Sequence, residues 1–246
     1  MIRTWLFYLV AFPSTLFFSS LGAVCGLVRA RPSAFDWIHR NWARSLLWGA
    51  GVRLEVQGLE HSVPGRGQII VANHESMFDI WALMSAVPAS LRFVAKEELS
   101  KIPVFAAACR AAGHVFIDRR RAAAAGDAMR AAGERMKEEG LTLVLFAEGT
   151  RSPDGELRPF RKGAFAIAIE TQTFLVPVAI DGTAGILPTG GKRVHPGTVR
   201  IRLAEGTSLE GKTSADRDEL VRDSQGAVAR MLGELRGTGP SGQPTG

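Results

Sequence analysis

The stretch VANHESMFDI, from Val71 to Ile80, places His74 five residues before Asp79. A neutral imidazole is the most common general base in enzymes, and a carboxylate beside it fixes its tautomer and stabilises the imidazolium that forms. The same letters also fit the start of a helix, with Ser76 as the N-cap and Asp79 three residues later in a capping box. The stretch by itself leaves a catalytic pair and a helix cap as alternatives.

Helix geometry limits how His74 and Asp79 could meet. Residues five apart in an α-helix lie about 140° apart around its axis. His74 must therefore lie in the turn before the helix that Asp79 joins, near a helix N-terminus that disfavours added positive charge. We expect the Asp79 carboxylate to serve His74, because it cannot fully serve both the imidazole and the N-cap amide.

A second stretch, LFAEGTRS from Leu145 to Ser152, follows the pattern of a strand that ends in a polar turn. Gly149 allows a ligand to approach the backbone closely. Thr150 offers a hydroxyl, and the Arg151 guanidinium can donate two parallel hydrogen bonds to a phosphate. The alternative is a surface turn, since SPDG follows directly and is a good turn sequence.

Two further basic stretches also follow predicted strands. VFIDRRR places Arg119 and its two neighbours directly after a strand, and three adjacent arginines cannot all reach one ligand. AKEELSKIP carries Lys96, for which a solvated charge is the default interpretation. Both residues are candidates for a phosphate site only if the fold brings their strand ends together.

Several chemistries are disfavoured by what the sequence lacks. It has no G-x-S-x-G, P-loop, G-x-G-x-x-G or H-E-x-x-H motif. NHE has no second histidine at metal-ligand spacing, so no metal or other cofactor is expected. Nucleic acid is disfavoured as a partner, because the aromatic residues gather near the N-terminus instead of interleaving with a basic strand face.

The N-terminal region predicts an association with membranes. Thr4 to Val28 contains no charged residue and is long enough to cross a hydrocarbon core of roughly 30 Å, although Pro13 could break it. A tryptophan-rich basic helix is predicted over 33–51, either at a membrane interface or packed on the core with its arginines exposed. For the apolar run, a spanning helix, an in-plane or re-entrant one, and a signal peptide or soluble core helix all remain open, and the arginines after it favour a cytosolic domain. The net charge of +6 suits an anionic membrane surface.

The rest of the 246 residues alternates between strand and helix patterns. This order predicts an α/β fold with a mostly parallel sheet flanked by helices. The clusters NHES, KEEL, DRRR and AEGTR each follow a predicted strand, so all four could line one crevice at the carboxyl ends of the strands. We expect membrane-associating helices over 1–50, an α/β domain over 51–236 and a disordered tail over 237–246.

Together these stretches resemble the glycerophospholipid acyltransferase family, the lysophosphatidic acid (1-acyl-glycerol-3-phosphate) acyltransferases in particular. NHESMFD matches the N-H-x4-D block of the family, and KEELSKIP resembles its K-x-E-L-x-x-x-P block from Lys96 to Pro103. GHVFIDR matches the next block, and FAEGTRS matches F-P-E-G-T-R-S with Ala147 in place of proline. FRKGAF and LVPVAI follow in the family's order, so the resemblance covers about 52–203.

The resemblance implies a direct acyl transfer with acyl-CoA or acyl carrier protein as the co-substrate. His74 would act as the base and Asp79 would orient it. The residues implied for the acceptor's glycerol phosphate are Glu148, Gly149, Thr150 and Arg151, with Lys96 and Arg119 as further candidates. The expected acceptor is lysophosphatidic acid in a membrane, on its cytosolic face.

Two other functions stay open at this point. One is the same chemistry on another acceptor, such as a lyso-ornithine lipid, another lysophospholipid or glycerol 3-phosphate. The other is a membrane-bound lipid-binding protein with an inactive fold, against which the intact His74 and Asp79 pair argues. The sequence does not place the donors of an oxyanion hole, which the chemistry requires.

Overall fold

The computed structural model describes residues 1–117, 131 and 133–238, and within them one sheet of eight strands. The strands are β1 (Val52–Gln57), β2 (Gln68–Ala72), β3 (Leu91–Lys96), β4 (Val115–Ile117), β5 (Thr142–Phe146), β6 (Phe174–Asp181), β7 (Gly197–Leu203) and β8 (Thr207–Ser208). Their order is β1-β7-β6-β2-β5-β3-β4, with β8 also paired to β6.

Strands β2 to β6 run parallel to one another, whereas β7 and β8 run antiparallel to β6 and β1 runs parallel to β7. The mostly parallel mixed sheet confirms the predicted fold class. The carboxyl ends of the parallel strands lie at one edge, so the clusters NHES, KEEL and AEGTR share that edge as predicted. DRRR begins at Asp118 and lies outside the described residues.

Pro177 lies inside the sheet. The sequence favours an edge or a bulge for this strand, but β6 pairs with β2 on one side and with β7 and β8 on the other. The edge alternative is wrong, but the bulge alternative agrees with the pairing: β8 pairs with 174–175, β7 pairs from Val178 onward, and the register shifts by one residue between them. Pro177 falls between these two pairings, where a strand residue without an N–H group loses no ladder hydrogen bond.

The described helices are α1 (Ile2–Leu27), α2 (Pro32–Ala50), α3 (Phe78–Ala86), α4 (Pro103–Ala112), α5 (described over 133–139), α6 (Lys162–Thr171), α7 (Thr183–Ile186) and α8 (Arg217–Arg236). Local sequence explains their ends. Pro32 occupies the first turn of α2, and Gly51 ends it in a left-handed conformation at φ 71°. Thr213 and Asp216 form the predicted capping box in the turn that leads into α8.

Helices cover both faces of the sheet. Successive residues of β2 alternate between them, with Ile70 in the hydrophobic cluster under α1, α2 and α3, and Ile69 in the cluster under α6 and α8. Phe7 of α1 and Leu46 of α2 belong to the first of these clusters. The two N-terminal helices therefore share a core with the α/β domain.

Helix α1 packs closely against its neighbours with small residues. A Cβ atom added to Gly22 would lie 3.0 Å from the Cβ of Ala108 in α4, and one added to Gly49 of α2 would lie 3.2 Å from the Cβ of Val10. The opposite face of α1 exposes large apolar side chains, among them Trp5, Leu9, Phe12 and Phe17. By length and composition this helix could cross a membrane.

Three sequence predictions fall wholly or partly outside the described residues. The first is Arg119 as a phosphate ligand. The second is the alanine-rich helix that AAAAGDAMRAAGERMKEEG predicts up to Gly140, of which 131 and 133–139 are described as helical, and the third is the tail, of which 239–246 is not described.

Candidate active site

His74 lies in the loop between β2 and α3, at the carboxyl edge of the sheet. Strand β2 ends at Ala72 and α3 begins at Phe78, so the imidazole precedes the helix, as helix geometry predicts. Its Nδ1 atom lies 2.6 Å from Oδ2 of Asp79. The ring stacks on Phe146 with a centroid separation of 3.9 Å and an interplanar angle of 12°. The contact at Nδ1 leaves Nε2 as the nitrogen available to a substrate hydroxyl.

Asp79 is fully buried and accepts hydrogen bonds at both carboxylate oxygens. Its Oδ2 atom accepts from the backbone N–H groups of Glu75 at 2.7 Å and Ser76 at 2.9 Å, as well as from His74. Its Oδ1 atom accepts from the Thr183 hydroxyl. The expectation that this carboxylate serves His74 is confirmed, but the expected loss of its bond to the N-cap amide is wrong. One oxygen serves both, because the loop turns the two amides and the imidazole toward the same atom.

Asn73 continues the sheet beyond the end of β2. Its side-chain amide donates to the carbonyl of Ile180 at 2.7 Å, and its Oδ1 atom accepts from the Ile180 N–H group at 2.8 Å. The Asn73 side-chain amide thus forms with Ile180 the two hydrogen bonds that a backbone amide of a neighbouring strand would form. It fixes the start of the His74 loop against β6.

The loop after β5 is tied directly to the His74 loop. Glu148 is 3% exposed, and its Oε1 atom accepts from the His74 N–H group at 2.9 Å. The Ser152 N–H group donates to the His74 carbonyl at 2.7 Å. Burial raises the pKa of Glu148 to about 7. The Glu148 carboxylate thus holds the histidine backbone, and its predicted role toward the acceptor stays a prediction.

Gly149 adopts a left-handed conformation with φ 72°. A Cβ atom there would lie 2.8 Å from Cδ of Arg161, whose Nε atom donates to the Glu148 carbonyl at 3.0 Å. Thr150 is exposed and Arg151 is half-buried, so both could contact a ligand above the strand ends. The loop needs glycine at 149 for its conformation and for the close approach of Arg161.

Lys96 is the last residue of β3, the strand beside β5, and it is exposed. It lies at the edge of the sheet that carries His74, but two strands away from β2. Its predicted role as a phosphate ligand stays a prediction.

Sequence reasoning missed three residues that support the site. Glu75 follows His74 and is 2% exposed. Thr183, just after β6, donates its hydroxyl to Asp79, and the Arg161 side chain packs against Gly149. Arg161 belongs to the FRKGAF block, which was a usable signal. Nothing local in the sequence connects Thr183 with Asp79, which lies 104 residues earlier.

The fold and the site define a class: an α/β protein with a carboxylate-held histidine at the ends of parallel strands, able to take a proton from a hydroxyl group. A family model described as "Acyltransferase" matches residues 53–181, just over half of the chain. The chain belongs to the acyltransferase family.

Individual relatives extend the likeness beyond the matched segment. The human 1-acyl-sn-glycerol-3-phosphate acyltransferase beta is 34% identical over 180 residues, which are 73% of this chain and 65% of that protein, a little under two thirds. The 1-acyl-sn-glycerol-3-phosphate acyltransferase of Pseudomonas aeruginosa is 27% identical over 95% of this chain and 91% of its own.

A solved structure covers almost the whole fold. The crystal structure of the 1-acyl-sn-glycerophosphate (LPA) acyltransferase PlsC from Thermotoga maritima matches with a TM-score of 0.82 and 30% identity. The match covers 96% of this chain and 95% of that one, so it includes the N-terminal helices.

Proposed function

We propose that this protein transfers a fatty acyl group to the free hydroxyl of 1-acyl-glycerol-3-phosphate and so forms phosphatidic acid. The single observation that carries the proposal is the 2.6 Å contact between His74 and Asp79 at the edge of the sheet, beside the loop with Gly149. Relatives that carry this activity in their names support the choice of acceptor.

The reaction proceeds without a covalent acyl-enzyme. Nε2 of His74 takes the proton of the acceptor hydroxyl as its oxygen attacks the thioester carbonyl of acyl-CoA or of an acyl carrier protein. The carbon–sulfur bond breaks, and the departing thiolate takes the proton back from the imidazolium. Asp79 keeps the ring oriented and stabilises its charge in between. Because a thiolate leaves readily, a base and correct positioning suffice.

The acceptor's phosphate is bound beside the base in this proposal. Gly149 has no side chain, so a ligand can approach its backbone closely. In the same loop, Thr150 is exposed and Arg151 is half-buried. Arg161 adds a guanidinium that lies over Gly149. Two arginines next to one glycine-containing loop favour a phosphate-bearing acceptor over a neutral one.

An acceptor panel tests the proposal. Thiol release from acyl-CoA is measured with lysophosphatidic acid, glycerol 3-phosphate, a lyso-ornithine lipid and other lysophospholipids, and then with acyl carrier protein as the donor. We expect the highest kcat/KM with lysophosphatidic acid. Turnover with the lyso-ornithine lipid alone would reject the proposal that the acceptor carries a phosphate. No turnover with any acceptor and either donor would reject the proposed acyltransferase activity.

Arg151→Ala sharpens the same test. Loss of a two-pronged phosphate contact should raise the acceptor KM about tenfold or more while changing the donor KM little. Arg53→Ala is the matched control, since Arg53 is an exposed arginine of β1 whose guanidinium contacts Glu55 and Thr198. An acceptor KM equal to that of the control would remove Arg151 from the phosphate site.

We also propose that α1 lies in the membrane interface instead of crossing it. Its N-terminal half contacts the domain through Phe7, whose ring centroid is 5.5 Å from that of Phe78. Its C-terminal half contacts α4 through Gly22 and Gly26. Because both halves pack on the domain, the exposed apolar face of α1 would dip into one leaflet while the site stays at the surface.

Vesicle flotation tests this placement. Removing two exposed aromatics in Trp5→Ser/Phe12→Ser should weaken binding to phosphatidylglycerol-containing vesicles by about tenfold or more, whereas Val63→Ser, an exposed apolar residue away from α1, should not. Protease digestion of an N-terminal tag on sealed vesicles separates the two placements. A tag protected from protease while the domain is digested would mean that α1 crosses the bilayer.

A further inference from the structure

Arg236, the last residue of α8, contacts three segments of the chain around the site. Its Nη2 atom donates to Oε1 of Glu75 at 3.1 Å and to the carbonyl of Gly155 at 2.7 Å. Its Nε atom donates to Oδ1 of Asp181 at 2.7 Å. These partners lie 161, 81 and 55 residues earlier in the chain. One side chain therefore connects the His74 loop, the end of β6 and the turn at Gly155, which follows the acceptor loop, residues 148–152.

Glu75 is the partner that links Arg236 to the base. It follows His74 directly, and its N–H group donates to Asp79 at 2.7 Å. Its Oε2 atom accepts from the Thr183 hydroxyl and from the Ala184 N–H group, both at 3.3 Å. With its side chain 2% exposed, Glu75 cannot turn outward to water without moving the loop that carries His74.

Two buried carboxylates, those of Glu75 and Asp79, lie close together at this loop, so a positive charge beside them is stabilising. Glu75 and Asp79 both reach the Thr183 hydroxyl, whose single hydrogen can serve only one of them at a time. Burial, and after it the charge of Asp79, raise the pKa of Glu75 to about 7. Arg236 supplies the positive charge on the opposite side of Glu75. A buried carboxylate that loses such a partner either takes a proton or rearranges.

Helix α8 has contacts with the sheet other than those of this arginine. The helix packs on the sheet through buried residues on its other turns, which are Leu220, Ser224, Val228, Met231 and Leu232. Arg236 follows the last of these residues and directs its guanidinium toward the loops. Its contacts are thus suited to orient the site, while the apolar face of α8 holds the helix in place.

We propose that Arg236 is a positioning residue which acts through Glu75 to hold the His74 loop in its catalytic arrangement. Its contact with Gly155 holds the turn that follows the acceptor loop, so both halves of the site share one support. The kinetic part of this inference rests on the proposed acyltransferase function. The structural part, the ordering of residues 73–77, does not.

Steady-state kinetics of Arg236→Met and Arg236→Lys provide the first test. We expect Arg236→Met to lower kcat by about 10- to 100-fold with both KM values within about threefold, because a displaced base costs rate more than binding. Arg236→Lys keeps the charge and should recover part of the loss. Arg202→Met is the control, since it breaks the partly exposed ion pair between β7 and Glu234 of α8 without touching the loops.

A double-mutant cycle with Glu75→Gln tests whether Arg236 acts through Glu75. We expect the double variant to be no slower than the slower single variant, because both remove the same contact. Multiplicative losses in kcat, or a kcat for Arg236→Met equal to that of Arg202→Met, would overturn the proposal.

Hydrogen exchange gives a readout that does not depend on turnover. Peptides covering 73–79 should exchange faster in Arg236→Met than in Arg202→Met, with no difference in peptides from α1. Unchanged exchange would overturn the inference even if the enzyme is active. If the wild-type protein transfers no acyl group but Arg236→Met still exchanges faster over 73–79, Arg236 orders the His74 loop as inferred. Only the proposed acyltransferase function would then be rejected.

Discussion

The molecule contains two histidine sites that differ in the partner of the ring. His74 faces a buried carboxylate through Nδ1. His39 of α2 and His114, just before β4, instead face each other, with their Nε2 atoms 3.2 Å apart. Nδ1 of His114 accepts from the Phe93 N–H group at 3.0 Å, so its Nε2 carries the hydrogen and donates to His39.

The difference shows that the partner decides what a histidine can do. Burial lowers the pKa of His39 to about 3, and the Arg92 guanidinium adds to this effect. Burial also lowers the pKa of His114 well below its usual value, with His39 and Arg92 contributing. This pair stays neutral and joins α2 to the sheet. At His74, by contrast, the buried Asp79 carboxylate is placed to compensate a positive charge on the ring, as the proposed reaction requires.

The largest expected effect contrasts the two sites directly. His74→Ala should lower kcat by about 10³-fold, since the group that takes the hydroxyl proton is lost. His114→Ala should lower the melting temperature while changing kcat by less than about threefold at a temperature where both variants are folded. Turnover of His74→Ala at the wild-type rate would reject the proposed base.

A smaller loss is expected when only the partner of His74 changes. Asp79→Asn should lower kcat by about 10²-fold, because an amide does not compensate the imidazolium and has one accepting oxygen where the carboxylate has two. Thr183→Val, which removes only the hydroxyl that contacts Asp79, should cost about tenfold. A larger loss for Thr183→Val than for Asp79→Asn would contradict this order of contributions.

The smallest expected effects concern how the stability of the protein depends on pH through the neutral pair of His39 and His114. The folded-state pKa of His39 lies below its unfolded value, so the unfolded chain takes up protons that the folded chain does not. Stability should therefore fall as the pH drops from about 6.5 toward 3, by about 2 kcal/mol at pH 5 from His39 alone. His39→Gln, which can still accept from His114, should show a shallower loss in thermal unfolding. An unchanged slope would contradict the neutral assignment.

The carboxylates of the active site should act with the opposite sign. The folded-state pKa values of Glu75 and Glu148 are raised to about 7, so their favourable contribution is present below about pH 4.5 and lost as the pH rises through 7. Glu148→Gln should flatten this loss between pH 5 and 8. The difference in melting temperature between variant and wild type, followed against pH, isolates the contribution. A difference independent of pH would contradict it.

The order of elements could be predicted from the sequence because it depends on local patterns. Hydrophobic periodicity predicts α2 and β2, and the capping box predicts the start of α8. For Pro177 the sequence leaves an edge and a bulge open, since the choice depends on where two other strands end. Local spacing likewise predicts that His74 precedes the helix of Asp79.

The support of the site could not be predicted in the same way. Thr183 reaches Asp79 across 104 residues and Arg236 reaches Glu75 in the His74 loop across 161, and no short motif connects them. Their contacts follow from the order of strands in the sheet and from the docking of α8. Such long-range geometry leaves no periodic trace in a single sequence.

The paired bonds between the His74 and Glu148 loops have a consequence for changing the enzyme's preferences. Since the His74 N–H group donates to the Glu148 side chain and the His74 carbonyl accepts from the Ser152 N–H group, the His74 loop and residues 148–152 are tied together. A substitution of Glu148 is therefore expected to displace His74, whereas a side-chain change at Ser152 keeps the backbone bond. Under the proposed function, Thr150 and Arg151, which take part in neither bond, are the positions where we expect acceptor selectivity to change with the least effect on the base.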